Sequence, residues 1–205
     1  MFGIMPRGGT TADLRWFAVP GAGVAHFMNA FTEGDKVHVD GATHDGQFFT
    51  FFKEVHGRPA DFKPGTFSRI TFDLATGEVS VRPLTNGASG GMPKIDDRFA
   101  MQRYRYGFST TRTGLVRYDT ETGGRQEHET QGQAQEPVFV PRRPDAPEGD
   151  GFLLAVVTRP DNRADLLILD AMDLEAEPLA TVRLPFSQAW LFHGSWRDGP
   201  ASLPR

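Results

Sequence analysis

Apolar and polar residues alternate with a period of two along much of the chain, and few stretches sustain the 3.6-residue repeat of a helix. FSRITFDLATGEVSVRPL (67–84) reads as a strand, a turn at Ala75-Thr76-Gly77 and a returning strand. GLVRYDTETGGRQEHET (114–130) repeats the plan, with Thr122-Gly123-Gly124 at the turn. FLLAVVTRPDNRADLLILD (152–170) is a third hairpin about Pro160-Asp161-Asn162, and LATVRLP (179–185) adds a further strand. Near the start, RWFAVP and VAHFMNAF read as interior strands. The second runs into a polar turn, Thr32-Glu33-Gly34-Asp35-Lys36, and an alternating strand, Val37-His38-Val39-Asp40. The turn residues tolerate positive φ or preset a bend, as hairpins require.

An aspartate closes the apolar strand in each hairpin: Asp73 in DLATGE, Asp119 in DTETGG and Asp170 in DAMDLEAEP. Their spacing is close to the roughly 40–50 residues of a four-stranded propeller blade. A β-sandwich would also contain hairpins, but would not need the even spacing. The fold expected is all-β: a single domain over 1–205 that forms part of a β-propeller. At about 45 residues per blade, 205 residues make about four and a half blades. The Gly-rich GASGG (87–91) reads as a flexible loop.

Composition narrows the chemistry. The 39% hydrophobic and 23% charged residues suit a soluble globular chain, and the net charge of −4 comes without a basic stripe, so nucleic acid is not an expected partner. The absence of cysteine excludes disulfides, thiolate metal sites and cysteine nucleophiles. No stretch approaches the roughly 18 apolar residues of a transmembrane helix. MFGIMPRGGTTADLRW lacks the long apolar core of a signal peptide, so a cytoplasmic location is expected. Phosphate-loop, H-E-x-x-H and G-x-S-x-G motifs are absent.

Two histidines stand in apolar surroundings. His26 lies among Val24, Phe27 and Met28, and His193 follows Trp190, Leu191 and Phe192 and precedes Gly194. Taken singly, each reads first as a core histidine. Taken together they invite another reading, because inner strands of different blades meet on a propeller axis, and imidazole suits iron, copper, zinc or nickel. A metal-bound histidine normally donates its other N–H to a carboxylate or carbonyl. Glu136, directly before the apolar run of EPVFVPR (136–142), is a carboxylate that is costly to bury unless paired. His38 shares a face with Lys36 and Asp40. Together with His44, His56 and His128 it reads as a surface residue.

RGGTTADLRWFAVP, VAHFMNAFTEGDKVHVD, MPKIDDRF, EPVFVPRRPDAPEGDGFLLAVV, LLILDAMDL and VRLPFSQAWLFHGSW occur here in an order that resembles the carotenoid oxygenase family. That family includes carotenoid and apocarotenoid cleavage oxygenases, lignostilbene dioxygenases and the retinal pigment epithelium isomerase. The resemblance implies the C-terminal part of a seven-bladed propeller with non-haem iron, Fe(2+), on its axis. Four histidines would hold the iron, with glutamates bonded to several of them. It implies a dioxygenase that takes O2 and an apolar alkene and cuts the C=C bond to two carbonyls. His26 and His193 fall on the third and fourth iron histidines and Glu136 on a supporting glutamate. Phe27, Trp190, Leu191 and Phe192 would line or support the cavity, and DDRFAMQRYRYGF (96–108) resembles bacterial lignostilbene-type members more than the isomerase.

This chain departs from the family pattern in two ways. The first two iron histidines have no counterpart here, so a complementary N-terminal half is an implied partner. Gly91 in SGGMPKID stands where the family usually has an acidic residue. On these grounds the chain alone is expected to be inactive and poorly soluble. The alternative reading is a truncated, non-catalytic remnant that binds no iron.

Overall fold

The computed structural model describes residues 1–44, 65–88, 90–186 and 193–199. His56, Trp190, Leu191 and Phe192 lie outside the described residues. Fifteen strands run in chain order through these parts: β1 (Phe2–Ile4), β2 (Arg15–Phe17), β3 (Gly23–Glu33), β4 (Lys36–His44), β5 (Thr66–Asp73), β6 (Val79–Ala88), β7 (Gly91–Ile95), β8 (Tyr106–Thr110), β9 (Gly114–Asp119), β10 (Arg125–Glu129), β11 (Gln133–Ala134), β12 (Val138–Pro141), β13 (Gly151–Thr158), β14 (Ala164–Asp170) and β15 (Ala180–Arg183). Two single 3₁₀ turns, Thr11–Asp13 and Asp97–Phe99, are the helical elements among the described residues.

The strands form antiparallel meanders. The first sheet is β3-β4-β5-β6 and the second β7-β8-β9-β10. In the third, β11 and β12 pair with successive parts of β13, followed by β14 and β15. A two-stranded ribbon, β1-β2, covers one face of the first sheet. The architecture is the propeller type, with β3, β7 and β12 side by side as the inner strands. Among the described residues stand three blades and a ribbon, against about four and a half blades expected from the length of the whole chain. Arg15–Phe17 belongs to the ribbon and not to a blade, and long connections at 96–105, 142–150 and 171–179 absorb much of the chain.

Period-two alternation places the cores. Met28, Phe31, Phe67, Leu84, Ile95, Tyr104, Val116 and Tyr118 close the space between the first and second sheets. Phe108, Leu115, Phe139, Leu153, Ala155 and Leu169 close that between the second and third. Phe17, Val39, Ile70 and Phe72 pack under the ribbon. Along β13 buried and half-buried residues alternate strictly, so one face of the third sheet is sealed and the other is partly open.

The recurrent aspartates are turn-makers. Each ends the third strand of its sheet, and its side chain accepts N–H groups of the following turn. Asp73 takes Ala75 and Thr76 (3.0 Å each), Asp119 takes Glu121 and Thr122 (3.0 and 3.1 Å), and Asp170 takes Met172 (2.9 Å). Gly77 (φ 81°) and Gly123 (φ 75°) supply the left-handed residue that two of these turns need.

The surface reading of His38, His44 and His128 does not hold, and Asp40, on the face of His38, is closed off as well. Asp40 is fully buried, bonded by the Arg69 guanidinium (2.8 and 2.7 Å) and by the Tyr104 hydroxyl from the connection between β7 and β8 (2.8 Å). The His38 side chain is 12% exposed, with Nδ1 at 2.9 Å from Thr71 Oγ1 and Nε2 at 3.5 Å from Glu33. His44 and His128 are half-buried, and His128 Nδ1 meets the Leu174 carbonyl at 3.0 Å. Alternation puts His38 and Asp40 on one face correctly, but that face abuts the next sheet instead of water. Of the Gly-rich 87–91, read as a flexible loop, Ser89 lies outside the described residues and the others belong to or flank strands. Gly87 and Ala88 end β6, Gly90 donates its N–H to the Tyr118 hydroxyl (2.8 Å) and Gly91 opens β7.

Candidate metal centre

His26 projects from β3 where that strand leaves regular register with β4, the pairing shifting between Val24 and Phe27 and again between Phe27 and Asn29. Such irregularities re-aim side chains. Gly41 of β4 permits this one, because a Cβ there would lie 2.8 Å from Val24 Cγ1 and 3.0 Å from the His26 carbonyl. Three residues on, buried Asn29 anchors the strand. Its Nδ2 donates to the carbonyls of Phe99 and Gln102 (3.1 Å each), and its Oδ1 accepts the N–H of Met101 (3.1 Å). The Asn of the H-x-x-N segment thus clamps β3 to the connection that follows β7.

His193 arrives from the far end of the chain. Its ring centroid lies 5.8 Å from that of His26, with the planes at 60°. His193 Nδ1 is 3.2 Å from Glu136 Oε1, and the Gly194 N–H donates to Glu136 Oε2 at 2.6 Å. Since a carboxylate accepts, Nδ1 is the donor in this contact. Glu136, with a side chain only 6% exposed, also has Lys94 Nζ of β7 at 3.8 Å. Gly194 is close-packed: a Cβ on it would meet Val138 Cγ2 at 3.0 Å.

The three residues singled out from sequence, His26, Glu136 and His193, therefore meet. Phe27 does not join them; it is 54% exposed, with its ring edge toward Phe2. Gly91 lies at the start of β7 opposite Thr110, and a Cβ there would lie 3.6 Å from Thr110 Oγ1, an ordinary contact. Lys94 is the participant that sequence reading missed. The signal for it was Pro93, since proline inside a strand marks an edge or bulge.

The donors suit a cation. With metal–nitrogen bonds of about 2.1 Å, two imidazoles on one ion have centroids roughly 4.5–6 Å apart, and 5.8 Å falls in that range. Among the described residues no group of three or more His, Cys, Asp or Glu is placed to hold a metal ion. Beside the pair lies a cavity of about 180 Å³, walled by Val138, Leu154, Val156, Leu166 and Trp196, with Glu136 and His193 at its polar end. Among the described residues no helix is long and apolar enough to cross a membrane.

Comparison with known proteins gives the frame. The family model described as "Retinal pigment epithelial membrane protein" (RPE65) matches residues 1–198. Isoeugenol monooxygenase of Pseudomonas putida is 36% identical over 220 residues, covering 96% of this chain and 46% of that protein. The crystal structure of Pseudomonas brassicacearum lignostilbene dioxygenase superposes with a TM-score of 0.87 at 31% identity, over 96% of this chain and 46% of that one. Cobalt-substituted apocarotenoid oxygenase of Synechocystis gives 0.83 at 25% identity, over 96% and 43%. The chain spans about half the length of the curated relatives it matches. By the family model, the identities and the shared blades, this chain belongs to the RPE65/carotenoid oxygenase family.

Proposed function

We propose that this chain carries half of the metal-binding set of a non-haem Fe(2+) oxygenase that cleaves the C=C bond of a phenyl-substituted alkene. The single observation behind this reading is the approach of His26 to His193, with His193 held from behind by Glu136. The substrate class rests on similarity, since the isoeugenol and lignostilbene enzymes are closer in sequence than the apocarotenoid oxygenase. Bound iron supplies O2 activation, and addition of both oxygen atoms across the alkene gives two carbonyl products.

The protein's own residues do the rest. His26 and His193 would each give a ring nitrogen to the ion. Glu136 fixes the orientation and tautomer of His193. Val138, Leu154, Val156 and Leu166 keep one side of the centre apolar. The remaining ligands would come from a complementary N-terminal half, docked in part on the half-open face of the third sheet, where Val182 is 45% exposed. A cytoplasmic site of action is part of the same reading, consistent with a chain that has no cysteine.

The test is anaerobic loading with Fe(2+), then metal analysis and assay of aldehyde release from a hydroxystilbene. The chain alone is expected to bind iron weakly and to release no aldehyde. Co-expressed with the N-terminal half of a lignostilbene-type relative, it is expected to hold about one iron and to turn over, and His26→Ala or His193→Ala abolishes both. Co-purification of the two halves without iron would instead favour a non-catalytic remnant.

A further inference from the structure

Lys94 reaches Glu136 from a different sheet, and the backbone is distorted on the way. The pairing of β7 with β8 shifts between Gly91 and Lys94, and within that stretch Met92 has φ 47°, a left-handed conformation uncommon for a residue with a side chain. Pro93 follows, with no N–H to give to a ladder. The bulge leaves Lys94 paired with Phe108, with its side chain 27% exposed and Nζ 3.8 Å from Glu136 Oε1. That oxygen is the one facing His193 Nδ1, while the other is taken by the Gly194 N–H. Backbone outliers that cluster beside a site commonly serve the geometry of that site.

We propose that Lys94 is a positioning residue. As the cation beside a buried carboxylate, it holds Glu136 Oε1 on the His193 ring, and it ties the inner strand β7 to the segment that leads into β12. It touches neither substrate nor metal and acts through Glu136. The metal arm of this proposal rests on the function proposed above; the geometric arm does not.

The experiment compares wild type, Lys94→Met, Lys94→Arg and Glu136→Gln, with thermal unfolding of each as the control for folding. In the metal-free chain at fixed pH, the ring ¹⁵N resonances of His193 are assigned by their loss in His193→Gln. Lys94→Met is expected to shift them toward their positions in Glu136→Gln with little change in the unfolding midpoint, and Lys94→Arg is expected to keep them near wild type. Titration with Co(2+) is expected to show an affinity about 10-fold lower in Lys94→Met, largely restored in Lys94→Arg. His193 resonances in Lys94→Met that match wild type would overturn the proposal. So would equal losses in the Met and Arg variants accompanied by a falling midpoint, which would mark Lys94 as a structural residue only. Absence of Co(2+) binding by the wild type would count against the metal reading, while the ¹⁵N comparison still decides the role of Lys94.

Discussion

His26 rides on an eleven-residue strand in a sheet covered on both faces, whereas His193 belongs to a tail with its side chain 63% exposed. Beneath His26 the chain builds a redundant scaffold. Asn29 clamps β3 to the 99–102 turn, Asp40, Arg69 and Tyr104 lock the first two sheets together, and the Arg69 guanidinium also lies over the Phe31 ring at 4.8 Å. Beneath His193 stands the Glu136 carboxylate, itself held by the Gly194 N–H. The contrast separates two jobs: the first region is rigid through its own packing, and the second leans on a buried anion. Damage to the first should therefore appear as lost stability, and damage to the second as lost metal affinity with the fold intact.

The largest expected effect tests the scaffold. Asp40→Ala leaves the Arg69 guanidinium, 12% exposed, without its partner. Breaking such a pair costs about 3–5 kcal/mol, readable by urea unfolding. A loss below about 1 kcal/mol would mean that water reaches the site and that the closed region is less closed than its geometry implies. Next comes Asn29→Ala, which strips three contacts from the 99–102 turn and is expected to cost about 1–3 kcal/mol without moving the His193 resonances.

On the other side of the comparison, Glu136→Gln is expected to lower Fe(2+) or Co(2+) affinity by about 10–100-fold while the unfolding midpoint changes far less than in Asp40→Ala. If both variants lost stability equally, the division between scaffold and support would fail.

The smallest effect is confined to acid. Burial pushes the Asp119 carboxyl upward, but the Arg105 guanidinium and the N–H groups of Thr122 and Glu121 outweigh it and bring it down to about 2 from 3.8. A depressed carboxylate contributes stability that is complete above the unfolded value and is lost as pH falls through the folded one. Asp119→Asn should therefore flatten the stability curve between pH 3.8 and about 2 and leave the metal centre untouched. A slope unchanged in that window would show that the Arg105 contact is lost in solution.

Sequence and structure agree most closely where local chemistry is decisive. The aspartate turns after β5, β9 and β14 were legible because an Asx side chain, a turn N–H and a strand end lie within a few residues. The number of blades was not legible, since spacing between turns is silent about how much chain the connections use. His38 and Asp40 were misplaced for a related reason. Alternation identifies two faces of a strand but not whether the polar face meets water or the Tyr104 hydroxyl from the connection between β7 and β8. The pairing of His26 with His193 followed from the family resemblance and the propeller axis; no local pattern joins residues so far apart. Lys94 was hidden by the bulge at Met92, which breaks the period of two on which its direction would have been judged.

The central claim is that His26 and His193 share one cation, and side-chain ¹⁵N spectroscopy of the histidine-labelled chain during anaerobic addition of Fe(2+) tests it most directly. The account predicts that the ring signals of His26 and His193 change together, with one midpoint, while those of His128, bonded to the Leu174 carbonyl, do not. Signals that respond at different iron concentrations, or one ring responding while the other stays as it was, would contradict it.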